Sequence, residues 1–585
     1  AIVHQIPLLN LRLYSAIVLP YMNRTVAHAR WARMPRPRTG SKQGCLTAAQ
    51  MVETEHDVAL EDTDRLHGRS ALVNNVKAAT ALAGAVRSTL GPRGLDKMLV
   101  EEGGPATVTN DGVTVLEAAK VEHPTARLLI STSSAQDRAA RDGTTTTVIL
   151  ISELLQNALE LVRSGVHPSI IMNGYQIALA ESLDEMGRIS KTPGDDSEMR
   201  SVVATSISGK VDSAVGRHLT ELAIEAAEEL VGEAGGHDLE RLRVKRLLIK
   251  DGSTLDSEIV RGLVLPKSRM DVASPADATG GRIVIIDGGM ESPELDLDAS
   301  IEVTSTEALR GFHERSRERM REQIELLASL EIDLLVVRDG IAEDATTMLT
   351  DAGITCYRRY DREDLELLSR ITGAAMVRDA RRVKVEDVGT YTSRSERSYS
   401  GVKHTRIDGP EGGAVTVLIR GSSPSVREEV KRAFDDALGV AHRLSGDSRI
   451  LPGGGGTQTH LARHLRAYAP SQSGREQLAI EAFAAALEIV PRTLAENSGL
   501  DPIDEILELS AAQAAASEGG AWIGMDVVSG DKVRMDEAGV FDPLFVAHHA
   551  LAGATEAANS VLRIDDVLWA KQDAQTPDWQ SEMED

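Results

Sequence analysis

Two stretches of Ala- and Leu-rich helical periodicity, from Asn74 to about Arg243 and from Pro452 to about Ser517, flank a middle of different texture. In that middle, short apolar runs at Arg282–Asp287, Asp333–Arg338 and Ala414–Arg420 alternate with helical segments and Gly-containing turns, a local α/β pattern. Similar ends around a dissimilar centre predict a discontinuous domain built from both ends of the chain, with an α/β insert between its halves. The 585 residues are material for about three to five domains. With aromatics at only 3%, the cores must be built from Ala, Val, Leu and Ile.

Local signals place the elements. Asn74–Val86 reads as a helix that stops at Leu90-Gly91-Pro92-Arg93-Gly94. Ala106–Leu116, β-branched around Asn110-Asp111-Gly112, predicts a strand–turn–strand hairpin. Leu128–Ala140 and Val148–Arg163 are helical, joined by Asp142-Gly143-Thr144-Thr145-Thr146-Thr147, and a Ser-Gly-Lys turn falls at 208–210. A Thr304-x-x-Glu307 capping box opens a helix with Leu309, Phe312, Met320, Ile324 and Leu327 at helical spacing. Ser425–Leu444 is a long helix, and the run Pro452-Gly453-Gly454-Gly455-Gly456 precedes the second helical stretch. The end reads as a hairpin, "MDVVSGDKVRMD", and a last helix reaching "IDDVLWA".

Charge narrows the class. The chain carries 89 Asp and Glu against 64 Lys and Arg, a net charge of −25, which opposes nucleic-acid binding because phosphate contacts need clustered cations. Residues 1–50 hold seven basic residues and no acid, so the remainder stands at 57 basic against 89 acidic groups, a balance of −32. Only 14 of the basic residues are Lys. A dense acidic surface poor in Lys fits a protein kept soluble in concentrated salt, as in an extreme halophile; the plainer reading is a genome rich in G and C. The basic lead reads as a transit peptide or, the favoured reading, as a start assigned ahead of Met51. Its apolar run Ile6–Pro20 is too short to span a bilayer and is interrupted by Arg12, so no membrane partner is expected and the chain reads as cytoplasmic. Cys45 and Cys356 alone cannot make a disulfide framework or a Cys-rich zinc site.

The chemistry points to phosphate. There is no Gly-x-x-x-x-Gly-Lys-[Ser/Thr] loop. Asp142-Gly143-Thr144-Thr145-Thr146 at a helix start nevertheless offers free backbone N–H groups, hydroxyls and the positive end of a helix dipole, beside a carboxylate suited to Mg²⁺. Taken singly, this motif is an ordinary N-cap, Asn110-Asp111-Gly112 a turn, and the Gly runs tight loops. Their order along the chain carries the information.

The blocks "STLGPRGLDKMLV", "VTNDGVTVLEAAKVEHP", "RDGTTTTVILISELL", "ILPGGGGTQTHLARHLRAYA", "SGLDPIDEILEL" and "EAGVFDPL" with "ATEAANSVLRIDDV" resemble the signature blocks of group II chaperonins, from about Asp62 to Ala570. The segment from Arg261-Gly262 through "SIEVTSTEALRGF" leaves room for the helical protrusion that serves that group as a built-in lid. The resemblance implies a multidomain α+β and α/β chaperonin architecture. It comprises a mostly helical equatorial ATP-binding domain (51–196 and 449–570), a small intermediate hinge domain (197–263 and 414–448) and an α/β apical domain with the lid (264–413), plus an atypical extension (1–50) and an acidic tail (571–585). It implies an ATP hydrolase coupled to protein folding, with ATP and Mg²⁺ as cofactors and K⁺ as an optional second cation. Its partners would be unfolded protein clients and further subunits, identical or paralogous, in a double ring of eight or nine per ring.

Residue by residue, the resemblance sets Leu90, Gly91 and Pro92 against the ATP phosphates and base edge, and wraps Gly143, Thr144, Thr145 and Thr146 around the β- and γ-phosphates. Asp142 would hold Mg²⁺, Asp111 would orient the attacking water, and Asp436 in "FDDAL" would be the general base, with Asp435 as competitor. Gly453 and Gly454 would approach the nucleoside, Asp542 its ribose or base, and Lys210 would belong to a nucleotide-sensing loop. Arg141 departs from the family, which has Gly there; a position needing φ > 0 would strain an Arg by roughly 1 kcal/mol. The presumed client-facing helix, Ala308–Leu330, is also unusually charged. Two other readings stand beside the chaperonin: a weakly hydrolysing structural ring subunit, supported by Arg141, and a monomeric small-molecule kinase with a similar anion-binding turn.

Overall fold

The computed structural model describes residues 63–100, 106–119, 121–229, 244–290, 306–410, 414–516 and 519–570. The basic lead, the acidic tail, Thr304 of the capping box and most of the lid segment lie outside them. The span Asp64–Trp569 forms one compact unit with several distinct cores.

The largest core is helical and drawn from both ends of the chain. It includes Leu72, Val76, Leu129, Ile151, Leu155 and Tyr175 from the first part, and Leu465, Ala479, Phe483, Leu551 and Ala558 from the last. Its central helix, Thr144–Arg163, is buried nearly all round, as expected for an element ringed by other helices. Small residues permit close approach: a Cβ on Gly174 would lie 2.4 Å from the Ala479 Cβ. Tyr175 donates its hydroxyl to the Leu154 carbonyl at 2.8 Å and meets Phe483 edge-on. Helix starts follow local rules, with Pro168 and Pro502 in the first turn and His167 and Asp501 as side-chain caps.

A second core joins the helices Asp196–Ser206, Ser213–Glu229 and Pro424–Leu444 to a three-stranded sheet in the order Val244–Ile249, Val415–Arg420, Glu258–Arg261. The central strand is parallel to the first and antiparallel to the third. It is buried on both sides, so its one polar core residue, Thr416, uses its hydroxyl twice: it donates to the Gly262 carbonyl and accepts from the Val264 amide, both at 2.8 Å.

The middle of the chain forms the α/β insert. In the parallel strands Gly281–Ile286, Leu334–Val337 and Thr355–Tyr357 the residues from Ile283 to Ile286 and all of the other two are buried, as in doubly covered parallel strands, and Met376–Val377 extends the sheet. The helices Thr306–Ser329, Glu343–Asp351 and Arg362–Thr372 connect them. The first buries Met320, Ile324 and Leu327, while Glu314, Arg317, Glu318, Arg319, Arg321 and Glu322 are exposed, which accounts for its charge as a solvated face.

Two local expectations are corrected. Asn110-Asp111-Gly112 is not a hairpin turn: Ala106–Thr109 pairs back to Lys97–Val100, and Asp111 caps the short helix Gly112–Ala118. Its carboxylate accepts from the Val113 and Thr114 amides at 3.3 and 2.9 Å, which commits the following residues to a helix despite their β-branching. The last helix is Leu544–Leu562, and "DVLWA" is instead a strand, Asp566–Ala570, in a two-stranded sheet with Thr63–His67. That pairing spans nearly the whole chain, and no local periodicity announces it.

Candidate nucleotide site

A cavity of about 580 Å³ opens beside the N-terminus of the helix Thr144–Arg163. Leu90, Gly91, Pro92, Asp111, Asp142, Gly143, Thr144, Thr145, Thr146, Lys210, Gly454 and Asp542, all singled out in the sequence, line it together. Gly453 does not line it; the residue is turned to the strand end, its amide donating to the Val540 carbonyl at 3.0 Å, and Gly455 lines the wall in its place. Asp436 is not part of the wall either, but is tied to it through Lys210.

The phosphate-like end is built by backbone. Gly143 occupies the left-handed region at φ 77° and brings no capping side chain, so the first-turn N–H groups at Thr144, Thr145 and Thr146 remain available at the cavity wall. The tight approach across the site depends on another glycine, because a Cβ on Gly112 would lie 2.5 Å from the Thr145 Oγ1. Gln136 steadies the loop by donating to the carbonyls of Asp142 and Val546 at 2.9 and 3.3 Å. The loop of Leu90 is held by Asn497, whose amide group donates to the carbonyls of Arg87 and Leu90 at 3.1 and 2.8 Å.

Arg141 sits at φ 56°, ψ 11°, the left-handed conformation that the glycine question anticipated. Its guanidinium turns back to Asp137 at 3.3 Å, an i,i+4 pair.

The electrostatics converge on Lys210. Its Nζ donates to Asp436 Oδ2 at 2.8 Å and lies 4.0 Å from Asp142 Oδ1. Burial works to lower the lysine's pKa, but the carboxylates of Asp436, Asp142 and Asp111 outweigh it and hold the ammonium well above its ordinary value. One cation cannot satisfy so many carboxylates. Burial first, then the charges of Asp111 and Asp137, push Asp436 up to about 7 against the pull of Lys210. Burial likewise raises Asp142, with Lys210 and the Gly143 amide opposing. Asp542 rises to about 7 through burial and the nearby Asp142. The site therefore has a surplus of negative charge that a divalent cation would relieve. Among the described residues no three His, Cys, Asp or Glu side chains form a metal cage, so a metal here would draw its remaining ligands from phosphate and water, the habit of Mg²⁺.

Another part of the wall is apolar, formed by Val490, Leu494, Met525, Met535 and Val540, and offers a surface for a flat, largely hydrophobic ring. Sequence reasoning did not single out this slot, nor Asp137, which lies one turn before Arg141 on an ordinary helix face. Asp435, the competitor of Asp436, faces elsewhere: its Oδ1 accepts from Arg246 Nε at 2.5 Å.

Residues 82–572 match the TCP-1/cpn60 chaperonin family. The chain is 39% identical over 523 residues to a thermosome subunit of Methanocaldococcus jannaschii, covering 87% of this chain and 94% of the relative. It is 38% identical over 517 residues to the thermosome subunit beta of Archaeoglobus fulgidus, and 38% over 516 residues to that of Thermococcus kodakarensis, with the same coverage. Among the described residues no helix is long and apolar enough to cross a membrane.

Proposed function

The chain belongs to the TCP-1/cpn60 chaperonin family, and on that premise we propose a residue-level account of how its cavity works. The protein is an ATP-dependent chaperonin, an ATPase whose hydrolysis is coupled to protein folding. The helical core built from both ends acts as the equatorial domain, the second core as the intermediate hinge, and the α/β insert as the apical domain that receives unfolded clients. Subunits assemble into a double ring, and the acid-rich, Lys-poor composition suits assembly in concentrated salt.

The observation that carries this account is the surplus of carboxylates around Lys210 beside a helix N-terminus with free N–H groups. The amides and hydroxyls at Thr144–Thr146 bind the phosphates of ATP, and Gly91 and Pro92 close the other side. The slot of Met525 and Met535 takes the base. Asp142 holds Mg²⁺, which when bound neutralises phosphate charge and polarises the bond to be broken. Asp436 takes the proton of the attacking water, and Asp111 orients that water. Lys210 holds Asp436 in place until nucleotide phosphates compete for its ammonium. Because Asp436 and Lys210 come from different parts of the chain than the threonine loop, closure of the hinge completes the site.

The test is MgATP hydrolysis by the assembled full chain. Asp436→Ala should lower kcat about 100-fold or more while nucleotide binding persists. A wild type no faster than the mutant would sink the assignment, and sedimentation as a single 62.8 kDa subunit would sink the ring.

A further inference from the structure

Successive residues of a strand point to opposite faces, and the strand Val244–Ile249 uses that alternation to grip two different helices. Lys245 pairs with Asp364 in the first turn of the helix Arg362–Thr372. Arg246, its neighbour, pairs with Asp435 on the helix Pro424–Leu444 and also donates to the Val244 carbonyl at 3.0 Å, which anchors the guanidinium to its own strand. Asp436 follows at once on that helix and accepts from Lys210. Three ion pairs thus run in series from the apical helix to the cavity.

All three are shielded. The paired side chains are 27% and 3% exposed for Lys245 and Asp364, 17% and 20% for Arg246 and Asp435, and 18% and 14% for Lys210 and Asp436. Pairs at that depth are strongly coupled, since removing one partner strands a charge away from water. The strand between them is stiff, held in parallel register to Val415–Arg420 along its length. Consecutive residues on a helix differ by about 100° in direction, so gripping Asp435 fixes the rotation that aims Asp436.

We propose that this strand is a coupling element and Arg246 a positioning residue: the two pairs on its opposite faces tie the placement of the helix Arg362–Thr372 to the aim of Asp436 at the cavity. The inference rests on the reading of Asp436 as the group that activates water. It gives Asp435 a role of its own, the handle by which Asp436 is turned, and it makes displacement of the apical helix felt at the nucleotide.

The experiment measures kcat, KM and the pH profile of MgATP hydrolysis by the assembled full chain. Asp364→Asn, which is outside the cavity, should lower kcat about threefold or more with KM within about twofold of wild type, and shift the acid limb of the profile. Arg246→Met should lower kcat about tenfold, Arg246→Lys should recover most of the loss, and the double variant should be no slower than Arg246→Met alone, because one chain is cut twice. Replacing the outer pair with apolar side chains, Lys245→Met with Asp364→Leu, keeps the packing filled and should show the same loss of kcat. An Asp364→Asn enzyme with wild-type kcat and pH profile, or losses that multiply in the double variant, would overturn the coupling. A wild type that does not hydrolyse ATP would instead overturn the reading of Asp436, and the inference with it.

Discussion

Lys210 donates to Asp436 at 2.8 Å across 226 residues of sequence, and this contact organises the site. The lysine arrives on the tight Ser208-Gly209-Lys210 turn, and the aspartate on the long helix Pro424–Leu444. Each is flanked by residues of the second core, Ile207 and Val211 around the lysine and Phe434 and Ala437 around the aspartate, while the cavity they serve is also walled by the Leu90–Pro92 and Asp142–Thr146 loops.

The state of Asp436 sets the pH response. Burial, then Asp111 and Asp137, push it up to about 7, and a general base works only when ionised. We expect kcat/KM for MgATP to fall tenfold per pH unit below about 7 and to level off above it. Asp137→Asn removes a like charge and should move that limb to lower pH; a profile flat from pH 6 to 8 would refute the assignment.

Asp542 makes the stability of the nucleotide-free protein depend on pH. Its folded value, about 7, lies above the ordinary 3.8, so the folded state holds the proton more tightly. The benefit is complete below about pH 4 and is lost as pH rises through 7. Asp542→Asn should therefore melt close to wild type at pH 4 but at least about 2 °C higher at pH 8, read by calorimetry.

Arg141 supplies a test of strain. At φ 56° it bears a left-handed cost of roughly 1 kcal/mol, against about 0.5 kcal/mol returned by the half-shielded pair with Asp137. Urea unfolding should find Arg141→Gly more stable by about 0.5 kcal/mol. A loss of stability instead would mean that the guanidinium contributes more than its strain costs.

Gly209 is where the lysine turn meets the phosphate loop. At φ 86°, a Cβ there would lie 2.6 Å from the Gly91 carbonyl oxygen and 2.9 Å from the Pro92 Cα, both backbone atoms that cannot step aside. Gly209→Ala should cost about 1–3 kcal/mol of stability. Titration calorimetry should show MgATP affinity reduced, because the Gly91–Pro92 loop and Lys210, which line the cavity together, are forced apart; unchanged affinity would separate the turn from the site.

What the sequence determined by itself was whatever short range decides. The helical ends and apolar middle strands follow from periodicity, the helix stop at Leu90–Gly94 from Gly and Pro, and the anion-holding character of Asp142–Thr146 from residue type. The choice of φ > 0 at Arg141 was legible as a question, because only a comparison with glycine made the residue odd. Tertiary structure decided the rest. Gly112 leads into a helix rather than a hairpin because Asp111 spends its oxygens on the next turn's amides. Asp566–Ala570 is a strand because Thr63–His67 offers it an edge. Between two adjacent aspartates of one helix, only the positions of Lys210 and Arg246 distinguish the one aimed at the cavity from the one held by the strand. Coulombic selection acts over a few ångströms, and those ångströms are created only when residues hundreds of positions apart are packed together.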